Sequence, residues 1–472
     1  MNEQQYQFGM VGLGTMGCNL VFNMGDNGFS VAGYDRDEKQ VAILNNGAGK
    51  SNIKAFNSLD NFINSLQQPR IILMLVPAGP IVDVVINNLK PYLGKDDLLM
   101  DCGNSHFTDT DKRIKSLEAE GIHFMGTGIS GGETGARFGP SIMPGGWKAG
   151  YEKVAPMLTA IAAKVNNEPC VTYTGTGSAG HYVKMVHNGI EYAMMQLISE
   201  AYHLLKQVGG LTNNEIKDVF ENYNQTPIRS YLVEITAAIF TQKDDLSASL
   251  LIDMILDKAH QKGTGAWTSQ DSMNLQVPVP SIDAAVSQRE VTTLKQERVA
   301  ASAILHVVRD KITVEHSGLI TLLADAMHFC MITIYAQGMA QLKEASTKYD
   351  YKVNLSDIAS IWRGGCIIRS AMLENIKIAY NDPTLSNLMV DKKFSEQLNQ
   401  LQKHTRSVIT SAITAGIPVP AMMASLSYFD SYRSSWLPAN LIQAQRDYFG
   451  AHTYERVDKQ GSFHTEWNIK IN

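Results

Sequence analysis

Three glycines near the N-terminus constrain the fold of this chain more than any other feature. Gly12, Gly14 and Gly17 have the spacing G-x-G-x-x-G, follow an apolar run and open a stretch of helical character. Glycine lets the backbone turn sharply and approach a pyrophosphate, whose charge is favoured at a helix N-terminus. The motif predicts a dinucleotide-binding turn, and a tight turn that binds no nucleotide is the alternative.

Strand-like and helical stretches alternate in the first part of the chain, which predicts a parallel sheet with helices on both faces. We expect a Rossmann-type α/β domain over residues 1–179, an all-α domain over 180–436 and a C-terminal tail over 437–472 that reaches a second subunit. Loops are expected at 261–268 and 277–281. The expected strands are residues 6–11, 30–34, 71–76, 98–101 and 123–126.

Composition excludes several classes of protein. A formal net charge of -5 argues against a dedicated nucleic-acid binder. The five scattered cysteines lack a CxxC pair, which favours reduced thiols in a cytoplasm over disulfides or a metal site. No signal peptide is indicated at the N-terminus. The most hydrophobic stretch, 317–342, contains Asp325, His328 and Gln337, so we expect a buried helix and no membrane span.

Four polar residues in an apolar stretch mark a candidate site. Lys184, His187, Asn188 and Glu191 fall at i, i+3, i+4 and i+7, so they share one face of a helix. Burying an amine, an imidazole, an amide and a carboxylate is costly, which favours a functional role. A polar stripe on a half-exposed helix is the alternative.

Two neighbouring residues give opposite indications of cofactor preference. Asp35 ends the second expected strand, where a carboxylate would bind a ribose 2′-hydroxyl and repel a 2′-phosphate, favouring NAD. Arg36 would pair with a 2′-phosphate, favouring NADP. The residues alone leave both cofactors open.

Seven sequence blocks stand out in order and nearly end to end along the chain. They are GLGTMGCNL (12–20), DCGNSHF (101–107), GISGGETGARFGPSIMPGG (128–146), VKMVHNGIEY (183–192), QKGTGAWT (261–268), WRGGCIIRS (362–370) and ANLIQAQRDYFGAHTYE (439–455). Together these blocks resemble the decarboxylating 6-phosphogluconate dehydrogenases. The resemblance implies a pentose phosphate pathway enzyme that oxidises the 3-hydroxyl of 6-phosphogluconate, releases CO2 and forms ribulose 5-phosphate, with NADP and without a metal.

The resemblance implies a role for each site residue. Lys184 matches the general base and Glu191 the acid that protonates the enediol. Arg446 and His452 match residues contributed by the neighbouring subunit, which implies a homodimer. The other substrate positions are Asn104, Ser130, Gly131, Gly132, His187, Asn188, Tyr192, Lys262 and Arg289. The cofactor positions are Gly12, Leu13, Gly14, Thr15, Met16, Gly17, Asp35, Arg36, Val76, Pro77, Ala78 and Asn104.

Three positions depart from the family's pattern. Pro77 and Ala266 stand where lysine is common, and Asp35 stands where asparagine is common. Each change removes positive charge or adds negative charge near an anionic ligand, which weakens the expectation of NADP.

Two other functions share features with this sequence. A related 3-hydroxyacid dehydrogenase with a smaller substrate would share the glycine motif, the Ser-Gly-Gly loop and the lysine, but such chains are much shorter. A non-catalytic nucleotide-binding protein on the same scaffold would have lost Lys184 or Glu191, and both are present.

Overall fold

A seven-stranded sheet forms the N-terminal part of the fold in the computed structural model. The structure describes residues 5–47, 49, 52–261, 263–307 and 316–467, with only the backbone of 316 and 317. The strands are β1 (Phe8–Val11), β2 (Val31–Tyr34), β3 (Ile53–Phe56), β4 (Ile71–Met74), β5 (Leu98–Asp101), β6 (His123–Ser130) and β7 (Ser141–Gly146). The helices between and after them are α1 (Thr15–Asp26), α2 (Glu38–Gly47), α3 (Leu59–Asn64), α4 (Pro80–Leu89), α5 (Phe107–Glu118), α6 (Gly132–Phe138) and α7 (Lys148–Ile161), with a 3-10 helix at Lys90–Tyr92.

The strand order β3-β2-β1-β4-β5-β6-β7 makes this a doubly wound sheet. The first six strands are parallel and β7 pairs antiparallel with β6. Successive strands are added on one side of β1 up to β3 and on its other side from β4 onward, so the topological switch point lies between β1 and β4. In open α/β sheets the ligand crevice lies outside the carboxyl ends of the strands at that point. The expected α/β fold is confirmed, although β3 and β7 were not predicted and β6 extends beyond the expected 123–126.

Helices dominate the rest of the chain, as expected. A short hairpin, β8 (Lys164–Val165) and β9 (Glu168–Pro169), precedes them. They are α8 (Ala179–Gln207), α9 (Asn213–Tyr223), α10 (Tyr231–Ile239), α11 (Leu251–Met254), α12 (Thr264–Asn274), α13 (Pro280–Thr293), α14 (Lys295–Ser302), α15 (His316–Lys348), α16 (Leu355–Ile361), α17 (Met372–Ala379), α18 (Lys392–Thr414) and α19 (Pro420–Tyr432), with a 3-10 helix at Leu388–Val390. The loop expected at 261–268 is wrong from Thr264 onward, where α12 begins.

The long apolar helix α15 is a core element. By length and composition it could cross a membrane, but 72% of its most apolar window is buried inside the protein. It packs against α8 and α18. The expected buried helix at 317–342 is therefore confirmed. The five cysteines, all within the described residues, are buried free thiols.

Helix α8 lies directly on strands β6 and β7 because glycines remove the side chains between them. A Cβ on Gly180 would stand 2.2 Å from the carbonyl oxygen of Gly126, and a Cβ on Gly128 would stand 2.4 Å from the Cβ of Lys184. Any larger residue at these positions would force the helix off the sheet. This contact fixes Lys184 beside the carboxyl end of β6.

The chain divides into two compact units, Met1–Ser425 and Leu426–Asn472. The second contains α20 (Ala439–Gly450) and a small antiparallel pair, β10 (Tyr454–Glu455) and β11 (Ser462–Phe463). Its centre is Asp447, a fully buried carboxylate. The carboxylate accepts hydrogen bonds from the amides of Thr453 and Thr465 and from the indole of Trp467, and it pairs with His464.

Candidate active site

The glycine turn between β1 and α1 has the geometry of a phosphate-binding turn. Gly12 has a φ of 93°, which favours glycine, and a Cβ there would stand 2.4 Å from the carbonyl oxygen of Leu75. A Cβ on Gly17 would stand 1.9 Å from the carbonyl oxygen of Gly12, whereas nothing lies within 4 Å of a Cβ on Gly14. Gly14 is also the N-cap of α1 and makes no side-chain cap. The turn thus leaves open the place where a pyrophosphate would meet a helix N-terminus.

The four polar residues of α8 lie on one face of a helix, as expected. Lys184, His187 and Asn188 are buried, with Lys184 only 7% exposed. The side chain of Glu191 is 21% exposed. Seven residues of helix separate Lys184 from Glu191, which is about 10 Å along the axis. The alternative of a solvent-facing polar stripe is excluded by this burial.

Burial moves the protonation of these groups away from their ordinary behaviour. It lowers the pKa of Lys184, against the opposing effect of the Glu191 carboxylate. It raises the pKa of Glu191, against the opposing effects of Lys184 and Arg289. It also lowers the pKa of His187 well below the ordinary value, so its imidazole is neutral. A lysine whose pKa is lowered therefore shares a helix face with a carboxyl group whose pKa is raised.

His187 links the α8 face to the glycine-rich loop after β6. Its Nδ1 lies 3.0 Å from Oδ1 of Asn188, and its Nε2 lies 3.3 Å from the hydroxyl of Ser130. Because the imidazole is neutral, Nδ1 donates to Asn188 and Nε2 accepts from Ser130. Gly131 follows with a φ of 111°, and nothing lies within 4 Å of a Cβ on Gly132. The loop thus offers open backbone beside the lysine.

An aromatic side chain of α8, Tyr192, lies one turn beyond Asn188 and contacts a cationic side chain of another helix. The guanidinium of Arg289, on α13, stacks over the ring of Tyr192 at 3.4 Å from its centroid. Gly265 of α12 packs against the same ring, since a Cβ there would stand 2.3 Å from it. Lys262, expected at this end of the site, lies outside the described residues.

A single open cleft of about 1140 Å³ brings most of the predicted residues together. It is lined by the glycine turn, by the loops after β4 and β5, by the Ser130 loop and by the α8 face. The predicted residues on its wall are Gly14, Thr15, Met16, Gly17, Val76, Pro77, Ala78, Asn104, Ser130, Gly131, Gly132, Lys184, Asn188, Glu191, Tyr192 and Arg289.

Some predicted residues lie off the cleft wall. Gly12 and Leu13 form the turn behind it, and the amide of Leu13 donates to Asp35 at 2.8 Å. Arg36 is exposed beyond Asp35. His187 is fully buried behind Ser130 and Asn188. Arg446 and His452 belong to the Leu426–Asn472 unit.

Several cleft residues were not predicted. Thr264 and Trp267 come from the first turns of α12, and Ile367 comes from the segment before α17. These residues belong to the blocks QKGTGAWT and WRGGCIIRS, which the resemblance had already singled out. Their side chains have no acid, base or charge that would have marked them as site residues. Within the described ranges, no group of three or more His, Cys, Asp or Glu side chains is arranged to hold a metal ion.

Two family models match almost the whole chain. The NAD binding domain of 6-phosphogluconate dehydrogenase matches residues 7–175, and the 6-phosphogluconate dehydrogenase C-terminal domain matches residues 180–467. The chain belongs to the 6-phosphogluconate dehydrogenase family.

Individual relatives agree with this assignment. The "6-phosphogluconate dehydrogenase, NADP(+)-dependent, decarboxylating" of Bacillus subtilis is 51% identical over 99% of this chain and 100% of its own length. The "6-phosphogluconate dehydrogenase, decarboxylating" of Escherichia coli is 48% identical over the same shares. A solved structure of the Plasmodium falciparum 6-phosphogluconate dehydrogenase, studied apo and in complex with NADP+ and with 6-phosphogluconate, covers 98% of this chain and all of its own. It is 40% identical, with a TM-score of 0.94.

Proposed function

We propose that this chain oxidatively decarboxylates 6-phospho-D-gluconate to D-ribulose 5-phosphate and CO2, as an enzyme of the pentose phosphate pathway. The observation that carries the proposal is the buried pair Lys184 and Glu191 on one face of α8, at the wall of the cleft that also contains the glycine turn. The full-length match to family members with this printed activity supports it.

Lys184 is the proposed base for oxidation. Its lowered pKa makes the neutral amine available to take the proton of the substrate's 3-hydroxyl. A bound nicotinamide would accept the hydride from C3. The resulting ammonium then donates to the new carbonyl oxygen, which helps this ketone accept the electron pair released when CO2 leaves. The ketone itself is the electron sink, so the proposed steps need no metal.

Glu191 is the proposed acid for the last step. Its raised pKa keeps a proton on the carboxyl group, which is then available to C1 of the enediol after CO2 has left. The axial distance of about 10 Å between Lys184 and Glu191 accommodates a six-carbon chain lying along α8.

The remaining cleft residues are proposed to orient the substrate. Ser130, Gly131 and Gly132 would bind the carboxylate through a hydroxyl and backbone amides. Asn104 and Asn188 would bind hydroxyl groups, with His187 holding Asn188 in place. Tyr192 and Arg289, together with Lys262, would bind the 6-phosphate, for which a guanidinium is well suited.

NADP is the proposed cofactor, and the relative named NADP(+)-dependent supports it. The open turn at Gly14 and the uncapped start of α1 would hold the pyrophosphate, beside Thr15, Met16, Val76, Pro77 and Ala78. NAD is the alternative because of Asp35, whose carboxylate accepts from the amides of Leu13 and Asp37 and stands at the end of β2. Arg36, exposed next to it, would favour NADP.

The assembly is proposed to be a homodimer in which the tail completes the neighbour's site through Arg446 and His452. In the tail, Arg446 is exposed and forms a hydrogen bond to Gln443. We further propose a cytoplasmic enzyme with domains over 1–179 and 180–436 and a tail over 437–472.

A steady-state assay of the purified protein tests this function. We expect 6-phosphogluconate to reduce a nicotinamide cofactor and to release CO2 in equal amounts, measured by absorbance and by CO2 trapping. Both NADP and NAD should be assayed. Reduction without CO2, or no reduction with either cofactor, would contradict the proposal.

A further inference from the structure

One arginine outside the proposed chemistry connects two loops of the cleft wall. Arg113 lies on α5 and is only 6% exposed. The first loop, residues 75–79, follows β4 and supplies Val76, Pro77 and Ala78 to the cleft. The second loop, residues 102–106, follows β5 and supplies Gly103 and Asn104. The last backbone bond between the two segments runs from the amide of Cys102 to the carbonyl oxygen of Met74 at 2.9 Å. Neither loop has regular secondary structure beyond that bond, so side-chain contacts help to hold the loops together there.

Arg113 holds the first loop at its C-terminal end, where α4 begins. Nε and Nη2 of Arg113 donate to the two carboxylate oxygens of Asp83 at 2.7 and 2.9 Å. Nη2 also donates to the carbonyl oxygen of Gly79 at 3.0 Å. Asp83 lies in the first turn of α4, so this two-point contact fixes the point where the loop passes into the helix.

The second loop is held by the other side of the same guanidinium. Nη1 donates to the hydroxyl of Ser105 at 3.3 Å and lies 3.7 Å from the carboxylate of Asp101. Ser105 donates to the fully buried Asp101 at 2.6 Å, and Asp101 also accepts from the amide of Gly103 at 3.0 Å. These bonds fix the backbone on both sides of Asn104.

The same network reaches the helix that carries the proposed base. His181, one turn before Lys184, lies 3.0 Å from the carbonyl oxygen of Asp101 through Nε2. Its Nδ1 lies 2.7 Å from the hydroxyl of Thr110, on α5 with Arg113. The two loops and α8 are therefore joined through buried hydrogen bonds.

We infer that Arg113 is a positioning residue that sets the spacing of the two loops and so aligns the bound cofactor with the substrate over Lys184. The inference rests on the proposed function. The planar guanidinium donates to both loops at once in fixed directions, a geometry that the compact ammonium of a lysine does not reproduce. Without the guanidinium, Asp101 and Asp83 lose their shared partner, and the loops are tied only at their base by the pairing of β4 with β5.

The test compares Arg113→Met with a matched control at the opposite ends of the same strands. Arg70 precedes β4 and pairs with the buried Asp97, which precedes β5, at 3.3 Å. Arg70→Met thus removes a similar ion pair between the same two strands, but far from the cleft. Thermal unfolding of both variants measures the loss of stability in each.

We expect Arg113→Met to raise the Michaelis constant for the cofactor about tenfold and to lower kcat by roughly 10- to 100-fold, since small misalignments of reacting groups are costly. The Michaelis constant for 6-phosphogluconate should change much less. With 6-phosphogluconate deuterated at C3, the isotope effect on kcat should increase because hydride transfer becomes slower. Arg70→Met should show none of these changes, and Arg113→Lys should recover only part of the activity.

Equal kinetic losses in Arg113→Met and Arg70→Met, or an unchanged isotope effect, would overturn the inference. If Arg113→Met does not fold, Ser105→Ala removes the bonds of the Ser105 hydroxyl to Arg113 and to Asp101 and leaves the contact of Arg113 with the first loop. It should change the same parameters in the same direction. Unchanged kinetics in Ser105→Ala would then overturn it. Failure of the wild-type protein to oxidise 6-phosphogluconate would instead contradict the proposed function, whatever the variants do.

Discussion

At the scale of single residues, burial lowers the pKa of Lys184, so its amine loses its proton at a lower pH than that of an exposed lysine. Lys184→Met replaces the amine with an apolar chain of similar length, so the fold should persist. We expect the rate of cofactor reduction to fall by at least about 10²-fold, as for loss of a general base. Binding of 6-phosphogluconate, measured by calorimetry, should remain detectable.

Lys206→Met is the matched control for this substitution. Lys206 lies on the same helix, is 35% exposed and pairs with Asp253. The control should keep near-normal turnover. Near-normal turnover in Lys184→Met would remove the base assignment.

The opposite pKa directions of Lys184 and Glu191 predict a bell-shaped pH profile of kcat. Activity should rise with pH as Lys184 loses its proton, at a pH below that of an ordinary lysine because burial lowers its pKa. It should fall again as Glu191 loses its proton, at a pH above that of an ordinary carboxyl because burial raises its pKa. In Glu191→Gln the alkaline fall should disappear along with most of the activity, and its persistence would contradict the assignment of Glu191.

Asp35 offers a direct test of cofactor preference. Its carboxylate is oriented by the amides of Leu13 and Asp37, and asparagine would keep an oxygen acceptor there without the charge. Asp35→Asn should raise the NADP-to-NAD ratio of kcat/KM by roughly tenfold, since a close like charge costs at least about 1 kcal/mol. An unchanged ratio would show that this carboxylate does not face the 2′ position.

At the scale of elements, the contact between α8 and β6 depends on Gly128. In Gly128→Ala the added Cβ would meet the Cβ of Lys184 at 2.4 Å, and both atoms belong to stiff parts of the chain. We expect a loss of about 1–3 kcal/mol in the free energy of unfolding, as for overpacking, together with a lower kcat.

Gly94→Ala serves as the control for Gly128→Ala, because nothing lies within 4 Å of a Cβ at that position. Its effect on denaturant unfolding should stay within about 0.5 kcal/mol. A similar small effect in Gly128→Ala would mean that α8 can shift away from the strand.

The sequence predicted elements well where periodicity alone decides them. The strands β1, β2, β4 and β5, the buried helix α15 and the polar face of α8 all follow from local pattern. The α8 face could be predicted because four chemically informative residues recur at helical spacing.

Two of the errors, at β7 and α12, come from glycines and a proline whose role depends on distant neighbours. β7 contains Pro144 and two glycines, which usually indicate a turn, yet it pairs along β6 and leaves room for α8. Gly265 indicated a loop, but it lies within α12 and makes room for the ring of Tyr192. The buried position of Arg113 could not be predicted from the sequence, because a single arginine on an amphipathic helix usually faces solvent.

At the scale of the whole molecule, mixing two inactive variants tests the shared site. In hybrids of Lys184→Met and Arg446→Ala chains, one of the two sites would combine an intact Lys184 with an intact Arg446 from the other chain. If the tail serves the neighbour, co-expression should restore about a quarter of wild-type activity in a statistical mixture. Each variant alone should be nearly inactive at low substrate concentration.

Arg456→Ala is the control for the tail, because Arg456 is exposed and pairs with Asp458 within the same unit. It should leave activity unchanged. No recovery in the Lys184 and Arg446 mixture would show that each tail serves its own chain or none.

The glycine contact beneath α8 also limits how the cleft can respond to its ligands. At these glycines the backbone of α8 contacts the backbone of the sheet directly, without side chains between them. This contact opposes a hinge or shear motion of α8 relative to the sheet. Closure over a substrate is therefore expected from the segments at the rim of the cleft, while Lys184, the proposed base, keeps its place. The proposed base would thus keep a fixed position, and the cofactor-binding side of the cleft would move relative to it.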